Sequence, residues 1–156
     1  MHKRILGPVQ EGDCLEPQWL NIEGLVEVEI TSEDAAHPIE SALLPGGTSG
    51  WRAAEPGQQT IRLLFKQPQP LRRIWMNFVE PQTQRTQEYV LRWSSDNGQS
   101  FREIVRQQWN FSPPSTTHEV EDHRVDLSAA TMLELNIKPD ISGVPAFASL
   151  AQMRLA

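Results

Sequence analysis

Two histidines and three acids crowd into HEVEDH, His118 to His123, the composition of a metal site. Spacing argues otherwise. In an extended strand residues five apart point to opposite faces, so His118 and His123 converge only in a turn. A zinc centre needs three or four converging ligands, and the segment reads as solvated and polar, with Glu121 and His123 as a same-face pair. Glu27 and Glu29 form another. Glycoside hydrolysis needs two carboxyls on opposite sides of the scissile bond, and neighbours on one strand face stand in the wrong arrangement. The single cysteine, Cys14, has no nearby histidine to activate it, and no GxSxG, P-loop, GxGxxG or HExxH sequence is present. An enzyme is not expected, nor is a metal or other cofactor. Trp109 and Phe111 stand apart from the other aromatics, flanking Asn110 in the polar, proline-containing stretch Gln107 to His123, where exposed rings serve contact more often than core.

The elements that would position such residues are short and alternating. EYVLRWSSDNGQSFREIV, Glu88 to Val105, is the clearest of them. Tyr89, Leu91 and Trp93 alternate with Val90 and Arg92, Asp96-Asn97-Gly98 tolerates positive φ, and Phe101, Ile104 and Val105 resume an apolar strand. LVEVEI, Leu25 to Ile30, puts Val26, Val28 and Ile30 on one face. Ile61, Leu63 and Phe65 form a strand bounded by the QPQP turn, Gln67 to Pro70, and Ile74, Met76 and Phe78 form the next. Gln107 to His123 reads as a long connection. Leu133, Leu135 and Ile137, then Ala151, Met153 and Leu155, close the series, and one helical turn is expected around Ile39 to Leu44. Strands separated by turn signals, with no amphipathic helix, predict an all-β antiparallel sandwich.

With 156 residues the chain is read as one domain, 1–156, with residues 1–23 either part of it or an N-terminal arm. The basic start is followed by too short an apolar run for a signal segment. No stretch approaches the ~20 apolar residues that span a bilayer, so a soluble cytoplasmic protein without a membrane partner is expected. Acids dominate residues 11–40, while Arg62, Arg72, Arg73, Arg85, Arg92, Arg102 and Arg106 enrich the middle. A pI of about 5.2 weighs against nucleic acid as partner.

Four segments together resemble the galactose-binding-like, discoidin-type sandwich, a jelly roll: IESALLPGGTSGWRA, TIRLLFKQPQPLRRIWMNF, EYVLRWSSDNGQSF, and MLELNIKPD with AFASLAQMRL. The resemblance spans Pro38 to Leu155. It implies a non-catalytic binding module with carbohydrate as the leading ligand class, held by loops at one end. It also implies that Trp51 and Trp93 are core. Relatives that hold calcium carry acids where this chain has Leu44-Pro45-Gly46-Gly47 and Gln152, so no calcium is expected. On this footing His37, Arg52, Arg85, Trp109 and Phe111 are the candidate ligand contacts: rings to stack on a sugar, His and Arg to hold its hydroxyls. A second, more local similarity, SxD-xxH (Ser32 to His37) with WRAA-xxG-xxT-I (Trp51 to Ile61), is to the N-terminal domain of a single-strand-break repair scaffold. It implies an alternative, an intracellular protein-docking module. Oligomeric state is not readable.

Overall fold

The structure, a computed structural model, describes residues 19–156. Cys14, the acids Glu11, Asp13 and Glu16, and most of the arm read over residues 1–23 lie outside the described residues. The order of elements is β1 (Val26–Ile30), α1 (Glu40–Leu43), β2 (Trp51–Arg52), β3 (Gln59–Val79), β4 (Arg85–Ser94), β5 (Arg102–Phe111), β6 (His118–Lys138), β7 (Ser149–Leu150) and β8 (Gln152–Leu155). The all-β antiparallel sandwich is as expected, and so is the single helical turn.

Two long strands organise it. β3 and β6 pair antiparallel from Gln59↔Ile137 through to Val79↔His118, and the pair bends in its middle. The first half of β3 joins β1, the second half of β6 joins β4, and β4 joins β5, which makes the larger layer. The remaining halves pair with each other, and β8 adds to β3, which makes the smaller layer. Phe78 of the smaller layer stacks on Tyr89 of the larger, ring centroids 5.4 Å apart. The core between them includes Leu63, Leu71, Ile74, Met76, Leu91, Leu133 and Leu135.

QPQP is therefore no turn. Gln67 to Pro70 stay extended, and the pairing jumps from Leu64↔Met132 to Gln69↔Ala130, five steps on β3 against two on β6. Proline gives the ladder no N–H, so this irregular stretch is where a strand carrying two prolines can bend without leaving its sheet. The connection read over Gln107 to His123 is also shorter than expected: β5 runs to Phe111 and β6 begins at His118.

The Asp96–Gly98 reversal joins β4 and β5 as the spacing predicts. Asn97 and Gly98 have φ of 59° and 85°. The positive φ of Gly98 favours glycine, and a Cβ there would stand 2.7 Å from the Met132 sulfur, so the flexible Met132 side chain would have to move aside. The Asp96 carboxylate accepts from the hydroxyls of Ser100 and Ser94 and from the Ser100 amide, which holds its pKa down at about 2.

The strand registers place most of the connections. Residues 31–37, 52–58, 80–84, 112–117 and 139–148 gather at one end of the sandwich. The bend, the 95–101 hairpin and residues 20–25 lie at the other.

Candidate functional site

The loop end is built on Ser32. Its carbonyl accepts the Trp51 indole N–H at 3.0 Å, and its hydroxyl accepts the Ala54 amide at 3.1 Å while donating to Gln59 Oε1 at 2.7 Å. Two backbone bonds complete the junction, Asp34 N–H to Arg52 C=O at 2.8 Å and Arg52 N–H to His37 C=O at 3.2 Å. The Ser32–His37 and WRAA motifs thus interlock, and Trp51, fully buried, anchors them. His37 Nδ1 lies 3.0 Å from Asp34 Oδ2. That bond, with the Ala36 amide, keeps the Asp34 carboxyl below its ordinary range. The exposed Arg52 guanidinium lies over the Phe147 ring, 5.1 Å from its centroid, and no ion pair holds it among the described residues. Phe147 is 39% exposed. His37, Arg52 and Phe147 thus form one surface, with Asp34 behind it.

The other three candidates are placed differently. Arg85 is the first residue of β4, not a loop residue, and its side chain is wholly buried. It donates to Glu80 Oε1 at 2.8 Å and to the Pro139 carbonyl at 2.9 Å, and lies 4.7 Å over the Phe111 ring. Phe111 ends β5 and is also fully buried, and Trp109 is a half-buried strand residue opposite Gln87. The expected exposed loop rings are in fact inward strand residues. Strand geometry explains it: Val105, Gln107, Trp109 and Phe111 alternate on one face, and the inner pair closes the sandwich over Arg85 and Gln87. Trp93 also departs from a fully buried place, being half-buried beneath Arg102.

HEVEDH is likewise not a solvated loop. It opens β6 with Glu119, Glu121 and His123 facing inward, toward Arg85, Gln87 and Tyr89 of β4. Gln87 Nε2 donates to Glu119 Oε1 at 3.0 Å, and Tyr89 Oη lies 2.7 Å from His123 Nε2. Burial, together with the neighbouring Glu121 carboxylate, pushes the Glu119 carboxyl up to about 9, so it is protonated at neutral pH. Glu119 Oε2 has no hydrogen-bond partner among the described residues, an arrangement that disfavours the charged form of the carboxyl. Burial and the same two acids raise Tyr89 as well. Among the described residues no three His, Cys, Asp or Glu side chains are grouped as a metal site. Glu27 and Glu29 point outward from β1.

Two depressions of about 430 and 470 Å³ flank residues 139–145 at the loop end. The first is rimmed by Pro56, Ile141, Val144 and Pro145, the second by Gln84, Thr86, Asn110 and Ser112. Phe147 and Asp34 were missed by sequence reasoning. Phe147 sits between two small residues in AFA, and the alternation of buried Ala146 and Ala148 with an exposed ring was the available signal.

No protein-family model and no curated protein matches the sequence. Solved structures do match. A family 32 carbohydrate-binding module of C. perfringens NanJ, in complex with galactose, superposes with a TM-score of 0.60 at 17% identity, over 83% of this chain and 92% of that one. CpGH89CBM32-5 from Clostridium perfringens, in complex with GalNAc-β-1,3-galactose, gives 0.60 at 21% identity over 88% and 99%. The CBM32 of AlyQ, in complex with 4,5-unsaturated mannuronic acid, gives 0.62 at 13% over 85% and 95%. At these identities the likeness is one of fold: the chain has the β-sandwich fold of these solved structures.

Proposed function

We propose that this chain is a non-catalytic carbohydrate-binding module whose loop end holds the ligand. One observation carries the reading: the exposed Arg52 guanidinium, in no ion pair among the described residues, lies on an exposed Phe147 ring beside the Asp34–His37 pair. An aromatic ring offers a flat apolar surface to the C–H face of a pyranose, and the guanidinium is a directional donor to hydroxyl or carboxylate oxygens. Asp34 fixes the imidazole through Nδ1, which leaves Nε2 for a ligand. The carboxyls nearby serve structure rather than catalysis, Asp34 holding His37 and Asp140 Oδ1 closing its own turn with Ser142. That three structural neighbours were solved with saccharides bound supports the ligand class.

Calorimetric titration with a panel of galactose, mannose and glucosamine saccharides and their uronates tests it. Saturable heat is expected, with affinity reduced at least tenfold by Arg52→Ala or Phe147→Ala, which corresponds to about 1.4 kcal/mol. No heat from any saccharide at millimolar concentration would remove the proposal.

A further inference from the structure

We propose that the depression between Asp140 and Asn110 is a second sugar subsite, so that the ligand is a neutral oligosaccharide rather than a single sugar. This rests on the glycan reading above and names its ligand class. The depression lies on the far side of the 139–145 segment from Gly57, in the run that follows Arg52. Its polar groups are held in place by the fold. The Ile141 amide donates to the Thr86 carbonyl at 2.9 Å, which ties the 140–142 turn to β4. Thr86 and Asn110 are cross-strand partners, and the Thr86 hydroxyl donates to Asn110 Oδ1. That bond fixes the Asn110 amide through its oxygen, and its Nδ2 has no hydrogen-bond partner among the described residues.

Asp140 is fixed in the complementary sense. The amide and hydroxyl of Ser142 both donate to its Oδ1 at 3.0 Å, and Oδ2 accepts no hydrogen bond among the described residues. A bound donor and a bound acceptor therefore open on one hollow, with Gln84 and Ser112 at its rim. Every sugar hydroxyl both gives and takes a hydrogen bond, so such a pair suits neighbouring hydroxyls on one ring. The floor is rigid: Arg85 and Phe111 line it, and Arg85 is bonded to the Pro139 carbonyl. No ring is exposed in the hollow, since Phe111 is buried, so it lacks the stacking surface of the Phe147 side. It acts by extending a ligand already held there. The Asp140 charge disfavours a uronate in this position.

Affinities of the whole chain for galactose, mannose and glucosamine saccharides of one to four units test it, together with Asn110→Ala and Asp140→Asn. The second substitution keeps the Oδ1 acceptor that closes the turn. Affinity is expected to rise about tenfold from one unit to the longer chains, and both variants abolish the rise while leaving the single sugar unchanged. Affinity independent of chain length, or equal losses for single sugars and long chains, overturns the subsite and leaves the glycan reading standing. Binding of no saccharide overturns both.

Discussion

The two halves of β6 bury opposite kinds of surface. In the larger layer the inward row is apolar: Ile61 and Leu63 of β3 beside Leu133, Leu135 and Ile137 of β6. In the smaller layer β6 turns Glu119, Glu121 and His123 inward, and they meet Arg85, Gln87 and Tyr89. The apolar row needs only exclusion of water and is stable under any arrangement that fills the space. The polar row is costly to bury, and it is held by bonds at most of its groups, Arg85 Nη2 and Glu119 Oε2 being without a partner among the described residues. In return it has direction. Through Arg85 it grips Glu80, whose carboxylate also receives the Gln82 and Thr83 amides, and it grips Pro139, where residues 139–148 leave β6. The apolar half makes the sandwich, and the polar half ties two loops of the loop end to it.

The comparison is broken most heavily from the apolar side. Leu135→Ala should lower unfolding free energy by about 2–5 kcal/mol, with the same loss at pH 6 and pH 8 in denaturant melts. Arg85→Met should lower it by about 3 kcal/mol, because Glu80 keeps its charge without its partner. Its distinguishing mark is local: faster hydrogen exchange in 80–84 and 139–148 than in β1 or in the bend. Equal acceleration everywhere would mean that Arg85 does not serve the loops in particular.

Glu119 gives a smaller, pH-dependent effect. Its folded-state pKa is raised from 4.5 to about 9. Between those values the folded chain holds a proton that the unfolded chain has lost, so stability falls as pH rises through this window, by up to about 1.4 kcal/mol per pH unit. Glu119→Gln mimics the uncharged acid and still accepts from Gln87. It should flatten that slope and leave the variant increasingly the more stable of the two from pH 5 to pH 8. An unchanged slope would show that Glu119 is ionised in the folded chain. At the surface, Arg52→Ala should change stability by less than about 0.5 kcal/mol while weakening saccharide binding. A large loss of stability would make Arg52 a structural residue.

The same division decides what the sequence could tell. LVEVEI, the β4–β5 reversal and LELNI were legible because their buried residues are apolar and alternate. HEVEDH alternates just as strictly, with charged groups inside, so a test of hydrophobic period reads it as solvated. Its partner in the larger layer suffers likewise: Gln107 and Asn110 make the end of β5 look like a loop, and Trp109 and Phe111 were placed outside on that account. Pro68 and Pro70 read as a turn because nothing local distinguishes a turn from a bend within a strand that is paired on either side of it. The interlocked Ser32 and Trp51 motifs carried the position of His37 and Arg52 to the loop end. Phe147 became visible only when the fold set it beside Arg52.

The central claim is most directly tested by following backbone amide resonances during titration with galactose and with GalNAc-β-1,3-galactose. The expected result is saturable shifts concentrated in residues 34–37, 51–58 and 139–148, with residues 20–25, 66–72 and 95–101 unmoved. Shifts centred on the opposite end, or no shift with either saccharide at millimolar concentration, would contradict it and turn the search toward a protein partner.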